Sequence, residues 1–259
     1  MVRMELFRTF CRWAFIVPFM IIIAFFIIGM ESYFSPRHPN FFSAYFYAHG
    51  AGADSFLAGV FPLAVTLLVG HSLAWDRKTG FYNYGLIRTN YRRFIGGKFI
   101  AAAITSFILV CVTELLAFAY AVLRYPTYDI SHIQIAYALP LYKELPFVYI
   151  LLIIFNTVLA AICFSFLSIT LSTLLTNIYL VVALPWLFAF LLQFFLYIIS
   201  EIKYAPLDLL GIYMIRTAYH YSIFEIAIVW GGTALFLVII TFSIYAAVKF
   251  KVRESQNAI

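Results

Sequence analysis

A chain of 259 residues in which 65% are hydrophobic and 11% charged falls outside the range of soluble domains, which run roughly 45–50% apolar and about 25% charged. Its net charge of +6 would suit a polyanionic ligand, but the bases gather just outside apolar runs, where the positive-inside rule accounts for them without nucleic acid. Cys11, Cys111 and Cys163 supply neither a disulfide framework nor metal-ligand spacing, and read as small apolar side chains.

The N-terminal stretch interleaves Arg3, Arg8 and Arg12 with Met4, Phe7, Phe10 and Cys11, the pattern of a short helix lying on the inner leaflet. It feeds an apolar run at residues 14–30. That run exceeds the roughly 7–15 residues of a signal-peptide core and lacks a small-residue cleavage site, so a retained membrane helix bent at Pro18 is expected. Residues 31–54 read as an aromatic-rich outer loop broken by Pro36, Pro39, Gly50 and Gly52, with Arg37 as its strong base. A second span at 55–73 contains Pro62, and a polar, basic loop at 75–98 follows it. The third span, 99–123, leaves that loop through Gly96-Gly97 and carries Glu114 in its outer half. Residues 124–145 form another outer loop, with Pro126, Pro140 and Pro146 marking its breaks. The fourth and fifth spans, 147–171 and 178–199 with Pro185, are separated by a hinge at 172–177 so short that the two helices must be antiparallel neighbours. Residues 200–221 are too polar to span and are expected to form short helices dipping into the outer leaflet. The sixth span, 224–248, begins with Glu225 at headgroup level and ends in the basic tail of Lys249, Lys251 and Arg253.

Each span is close to the ~20 residues that cross ~30 Å of hydrocarbon at about 1.5 Å per residue. This alternation puts twelve bases inside and five (Arg37, Arg124, Lys143, Lys203 and Arg216) outside. The expected fold is therefore all-α: a single transmembrane domain over residues 1–259 with six membrane helices, cytoplasmic N- and C-termini, an amphipathic N-terminal helix and a cytoplasmic helix in the central loop. Such a chain is expected to be a multi-pass protein of the cell membrane, of the bacterial plasma-membrane type.

The central loop holds six of the seventeen bases: Arg77, Lys78, Arg88, Arg92, Arg93 and Lys98. If residues 84–94 are helical, Tyr84, Ile87, Tyr91 and Phe94 share one face while Arg88 and Arg92 lie a turn apart on another, free for a partner. The succession of Asp76-Arg77, Gly80, Leu86-Ile87 and then Tyr91-Arg92-Arg93-Phe94-Ile95-Gly96-Gly97-Lys98 resembles the loop between the second and third membrane helices of ABC-2 type exporter permeases. The resemblance extends to the whole layout of the chain. Asn90, where the family often has Pro, and Phe81-Tyr82, in place of a commonly more polar pair, depart from the pattern and leave the subfamily unassigned.

The resemblance implies a permease subunit that moves an amphipathic or hydrophobic cargo (peptide, lipid or drug) and performs no chemistry of its own. It would bind no cofactor; ATP and Mg would belong to cytosolic ATP-binding cassette ATPase subunits, with a second permease, identical or homologous, completing the path through membrane lipid. Asp76, Arg77, Gly80, Leu86, Ile87, Arg88, Arg92 and Arg93 would form the ATPase-coupling loop. The residues agree on one point: Lys98 follows Gly97, but Arg92 and Phe99 occupy positions where a phosphate-binding loop needs Gly and Ser or Thr. A purely lipid-anchoring loop is the simpler alternative, though anchoring does not call for Gly80 and Gly96-Gly97 around the helix.

Glu114 and Asn156 are the candidate residues of a translocation path. An Asp at a helix centre costs ~2.5–3.5 kcal/mol on insertion scales, so Glu114 is expected to face the bundle, a partner or a wet path, contacting cargo or, protonated, bonding to a Ser or Thr. Asn156 suits a helix–helix hydrogen bond better than a ligand contact. Ala161, Ser165, Ser168 and Ser172 form a small-residue stripe of the kind that packs helices closely. An intramembrane enzyme finds no support: H-E-x-x-H and G-x-S-x-G are absent, and His38, His49, His71, His132 and His220 are scattered. A stand-alone carrier or channel using Glu114 is the alternative function, although inverted repeats are not evident.

Overall fold

Apolar runs of this length can satisfy their backbone in hydrocarbon only as helix, and the computed structural model is helical without strands over the residues it describes: 2–11, 13–32, 41–46, 48–49, 56–82, 85, 91–125, 146–175 and 177–199. The helices are α1 (Val2–Phe10), α2 (Trp13–Ser32), α3 (Phe41–Phe46), α4 (Phe56–Val69), α5 (His71–Lys78), α6 (Tyr91–Arg124), α7 (Pro146–Leu174) and α8 (Ile178–Ile199). Among the described residues, three stretches are long and apolar enough to cross a membrane, Phe15–Ser32, Arg93–Arg124 and Thr157–Leu174, and Val60–Val69 and Ile178–Phe188 are shorter apolar stretches. The chain is thus a helical protein with membrane-spanning character. The expected sixth span at 224–248, the segment 200–221, the loop 126–145 and Leu86, Ile87 and Arg88 lie outside the described residues, as do the side chains of Arg92 and Asn156.

α4 is the centre of the bundle, packed against α2, α7 and α8, while α6 runs along α7 in the longest of the interhelical contacts. In α2, 22% of the spanning window is buried, against 61% in α7, so α2 is peripheral and turns Ile16, Val17, Met20 and Ile28 outward, where lipid can cover them. The small-residue stripe lies on the inner face of α7: Ala161, Ser165, Ser168 and Ser172 are all fully buried. With no large side chains there, backbones approach and hydroxyls bridge them. Ser165 meets Ser106 of α6 at 2.5 Å, Ser168 donates to the Val181 carbonyl of α8 at 3.3 Å, and Thr66 of α4 donates to the Val182 carbonyl at 3.2 Å. The short turn between α7 and α8 makes them packed neighbours. Asn177 caps α8, its Oδ1 accepting the Tyr179 N–H at 3.0 Å.

Three features differ from the sequence expectation. Helix runs on past the expected end of the second span at residue 73, into the loop expected at 75–98: α4 ends at Val69 and α5 resumes at His71 and reaches Lys78. Gly70 between them keeps helical angles (φ −61°, ψ −35°), so the two helices meet end to end. Gly96-Gly97 does not break the chain ahead of a span at 99–123; α6 is continuous through it for 34 residues. Each glycine costs a helix interior about 1 kcal/mol relative to Ala, but Phe94, Ile95, Gly97 and Lys98 around the pair are buried, and that packing outweighs the cost. Finally, part of the expected outer loop 31–54 enters the bundle. Phe42, Ala44, Tyr45 and Ala48 are almost fully buried, and α3 packs on α2 and α6.

Gly70 and Gly96 make opposite demands. A Cβ on Gly70 would lie 1.9 Å from Ser168 Oγ and 2.8 Å from the Thr66 carbonyl oxygen, whereas one on Gly96 meets nothing within 4 Å. Gly70→Ala is expected to destabilise the bundle by about 1–3 kcal/mol through overpacking, and Gly96→Ala to stabilise it by up to about 1 kcal/mol. Denaturant unfolding of the two variants in mild detergent, followed by circular dichroism, checks the opposite signs.

Candidate functional site

The structure gathers ionisable side chains into two buried clusters at different depths of α6, one around Lys98 and one around Glu114. At the Lys98 end, α1 turns its Glu5 and Arg8 edge toward the bundle and leaves Met4 and Phe7 exposed, the reverse of a soluble helix and appropriate to a lipid surface. Glu5 and Arg8 are one turn apart. Asp76 comes from the middle of α5, and Lys98 from the third turn of α6. Lys98 Nζ lies 2.6 Å from Asp76 Oδ2 and 3.2 Å from Glu5 Oε2; Arg8 reaches Asp76 Oδ1 at 2.8 Å and Glu5 Oε1 at 3.3 Å. All four carboxylate oxygens are therefore taken by two cations in a closed, electrically neutral ring, with Glu5, Asp76 and Lys98 buried. Burial disfavours the Arg8 guanidinium, but the hydrogen bond and charge of Asp76, with Glu5 adding, outweigh it and hold its pKa above the ordinary value. Arg8 also lies 4.8 Å over the Phe81 ring.

Of the sequence-predicted loop residues, Asp76 thus faces the bundle interior and binds α1 and α6. Arg77 is half-buried, 5.3 Å over the Tyr82 ring, and Arg93 is exposed on the first turn of α6. Gly80 takes φ 76° just after the α5 cap, Thr79, whose N–H bonds the Trp75 carbonyl at 2.9 Å. This left-handed position ends the helix and suits glycine.

Glu114 is fully buried and far from the ring. Its partners are Tyr45, whose hydroxyl donates to Oε2 at 2.7 Å, and His49, whose Nε2 lies 2.9 Å from the same oxygen; neither is the Ser or Thr expected. Both arrive with the re-entrant segment. Phe41, Phe42 and Tyr45 enclose Phe118 of α6, and Phe26 of α2 sets its ring edge-on to His49 at 4.9 Å. Gly29 of α2 admits the segment: a Cβ there would lie 3.0 Å from the Ala48 Cα, so a larger side chain would hold His49 off. Among the described residues, Glu114 Oε1 has no hydrogen-bond partner.

The chain matches no family profile, no curated protein and no solved structure. The site must therefore be read from its own chemistry.

Sequence reasoning singled out Asp76 and Glu114 but missed Glu5, Tyr45 and His49 as their partners and gave Lys98 no ion pair. A signal was present for the second cluster. Phe41, Phe42, Tyr45 and Ala48 recur at i, i+1, i+4 and i+7, a helical apolar period inside a loop otherwise punctuated by Pro and Gly.

Lys98→Met would leave Glu5 and Asp76 buried with one cation between them, a loss of about 3–5 kcal/mol for breaking a buried pair. Arg124→Met, which removes the exposed contact to Glu31 at the opposite end of α6, should leave stability unchanged. Unfolding midpoints of the two variants in detergent, compared with the parent chain, test the contrast.

Proposed function

We propose that this chain is the membrane-spanning permease subunit of an ATP-binding cassette exporter of the ABC-2 type, with six membrane helices and both termini in the cytoplasm. The supporting observation is the four-charge ring. It fastens α1 and α5 to the start of α6, so the segment between Gly80 and Tyr91, which carries Leu86, Ile87 and Arg88, is framed on both sides by anchored helices. A push delivered there passes through α5 to α4 and through α6 along its full length, the rigid-body transmission that a coupling loop requires. In this reading Arg88, Arg92 and Arg93 meet a cytosolic ATPase, while Asp76 stiffens the platform from within and Arg77 lies against Tyr82. ATP and Mg are held by that partner. Two permeases together enclose the path of an amphipathic or hydrophobic cargo.

The base count places the Lys98 end in the cytoplasm. Cysteines introduced at Thr79 and Gln256 are expected to resist a membrane-impermeant thiol reagent in intact cells, and one at Asn40 to react. Cys11, which is exposed, serves as an internal control for the protected side. Labelling at position 79 from outside would reverse the scheme.

Charge reversal tests the coupling role. Exposed charge pairs contribute only about 0–1 kcal/mol each, so Arg88→Glu and Arg92→Glu are combined. The double variant, and separately Ile87→Asp, should insert normally yet lower cargo-stimulated ATP hydrolysis of the reconstituted complex, with the isolated ATPase unaffected. Full coupling in both variants with assembly intact would assign the loop to lipid anchoring instead.

A further inference from the structure

The two oxygens of Glu114 are not equivalent. At about 1.5 Å per residue, Glu114 lies roughly 24 Å along α6 from Lys98 and roughly 15 Å from Arg124, well within the membrane-spanning stretch. Oε2 takes both contacts, from Tyr45 and His49; Oε1 is equally buried and has none. A carboxylate spreads its charge over both oxygens, and half a charge on an unpartnered buried atom is costly. A proton on Oε1 removes that charge. Oε2, then a carbonyl oxygen, still accepts from the Tyr45 hydroxyl and from a neutral His49 bearing its hydrogen on Nε2.

Among the described residues, no Lys or Arg packs around the site to neutralise it instead; His49 is the one basic neighbour, and it faces Oε2, not Oε1. α3, α4 and α7 contain no Asp, Glu, His, Lys or Arg. α2 presents the Phe26 ring to His49, and its Glu31 is engaged by Tyr120 at 2.6 Å and Arg124 at 3.2 Å at the far end of α6. The charges of α1 lie at the Lys98 end, Glu5 and Arg8 closed within the ring and Arg3 exposed. Cys111, one turn away on α6, is the remaining titratable neighbour.

We propose that Glu114, His49 and Tyr45 form a proton-binding site inside the membrane, in which Glu114 Oε1 carries the proton and His49 is the group that takes up a second. With the proton on the carboxyl and the imidazole neutral, the pair carries no charge. A second proton, taken from water, leaves an imidazolium without a counter-charge in an apolar pocket of Phe26 and Phe118, and that charge is relieved by moving His49 toward water. His49 lies three residues beyond α3 in the re-entrant segment, so its withdrawal undocks α3 from α6. The proposal concerns this chain alone and stands whether or not an ATPase drives it.

The full-length chain in lipid nanodiscs provides the test. At neutral pH, infrared spectra should contain a protonated-carboxyl C=O band that shifts on isotopic labelling of glutamate and disappears in Glu114→Gln. Tyr45→Phe, which removes one hydrogen bond to Oε2, should raise its frequency and identifies the carboxyl even if Glu114→Gln fails to fold. In parallel, Ala44→Cys, buried in the docked segment, is reacted with a water-soluble maleimide and quantified site by site by peptide mass spectrometry against Cys11. Its labelling relative to Cys11 should rise about tenfold between pH about 8 and about 5, and His49→Gln should abolish the rise. No protonated-carboxyl band, a band insensitive to Tyr45→Phe, or relative labelling independent of pH would each overturn the proposal.

Discussion

Lys98 stands 2.6 Å from Asp76 and 3.2 Å from Glu5, and without those two carboxylates its ammonium could not stay where the burial of Phe94 and Ile95 puts it. A buried ion is tolerated only when paired and hydrogen-bonded throughout. Here the requirement is met by taking one carboxylate from α1 and the other from α5, which makes the position of both helices a consequence of one side chain on α6. The continuity of α6 through Gly96-Gly97 follows from the same fastening. Local propensity argues for a break there, and tertiary packing overrides it.

The interior between the two clusters is held differently. Ser165, Ser168 and Thr66 bind neighbouring hydroxyls or carbonyls, and their small size lets helices approach closely enough for dispersion to act where no hydrophobic driving force separates helix from lipid. Large side chains such as Leu115 and Phe107 are turned outward instead. The interior keeps an apolar core of residues such as Phe26, Leu68 and Leu109, so it is the outer surface that departs from a soluble protein's order, most plainly in α1, where the charged edge is inside and Met4 and Phe7 are outside.

Much of this fold could be read from the chain. Composition and the length of the apolar runs gave the helical membrane class, and α1, α2, α7 and α8 begin and end within a few residues of expectation, because hydrocarbon leaves the backbone one solution. The small-residue stripe pointed correctly to a packed face. What could not be read were contacts between residues remote in sequence. Glu5 and Lys98 are 93 positions apart, and Tyr45 and Glu114 are 69 apart; neither periodicity nor spacing encodes such pairings. The re-entry of residues 41–49 was masked by their flanks, since Pro39 and Gly50 announce a surface loop while the six residues of α3 are too few to declare a helix alone.

Because α6 is unbroken, Lys98 and Glu114 are mechanically one object. Sixteen residues separate Lys98 from Glu114, so at about 100° per residue they project roughly 160° apart around the axis. A torsion of α6 therefore drags the two groups in nearly opposite directions, and an axial slide shifts both by the same amount. The rod cannot be turned to spare one set of partners without straining the other. The bundle thus contains a mechanical link between its two ends that needs no intervening chain of side chains.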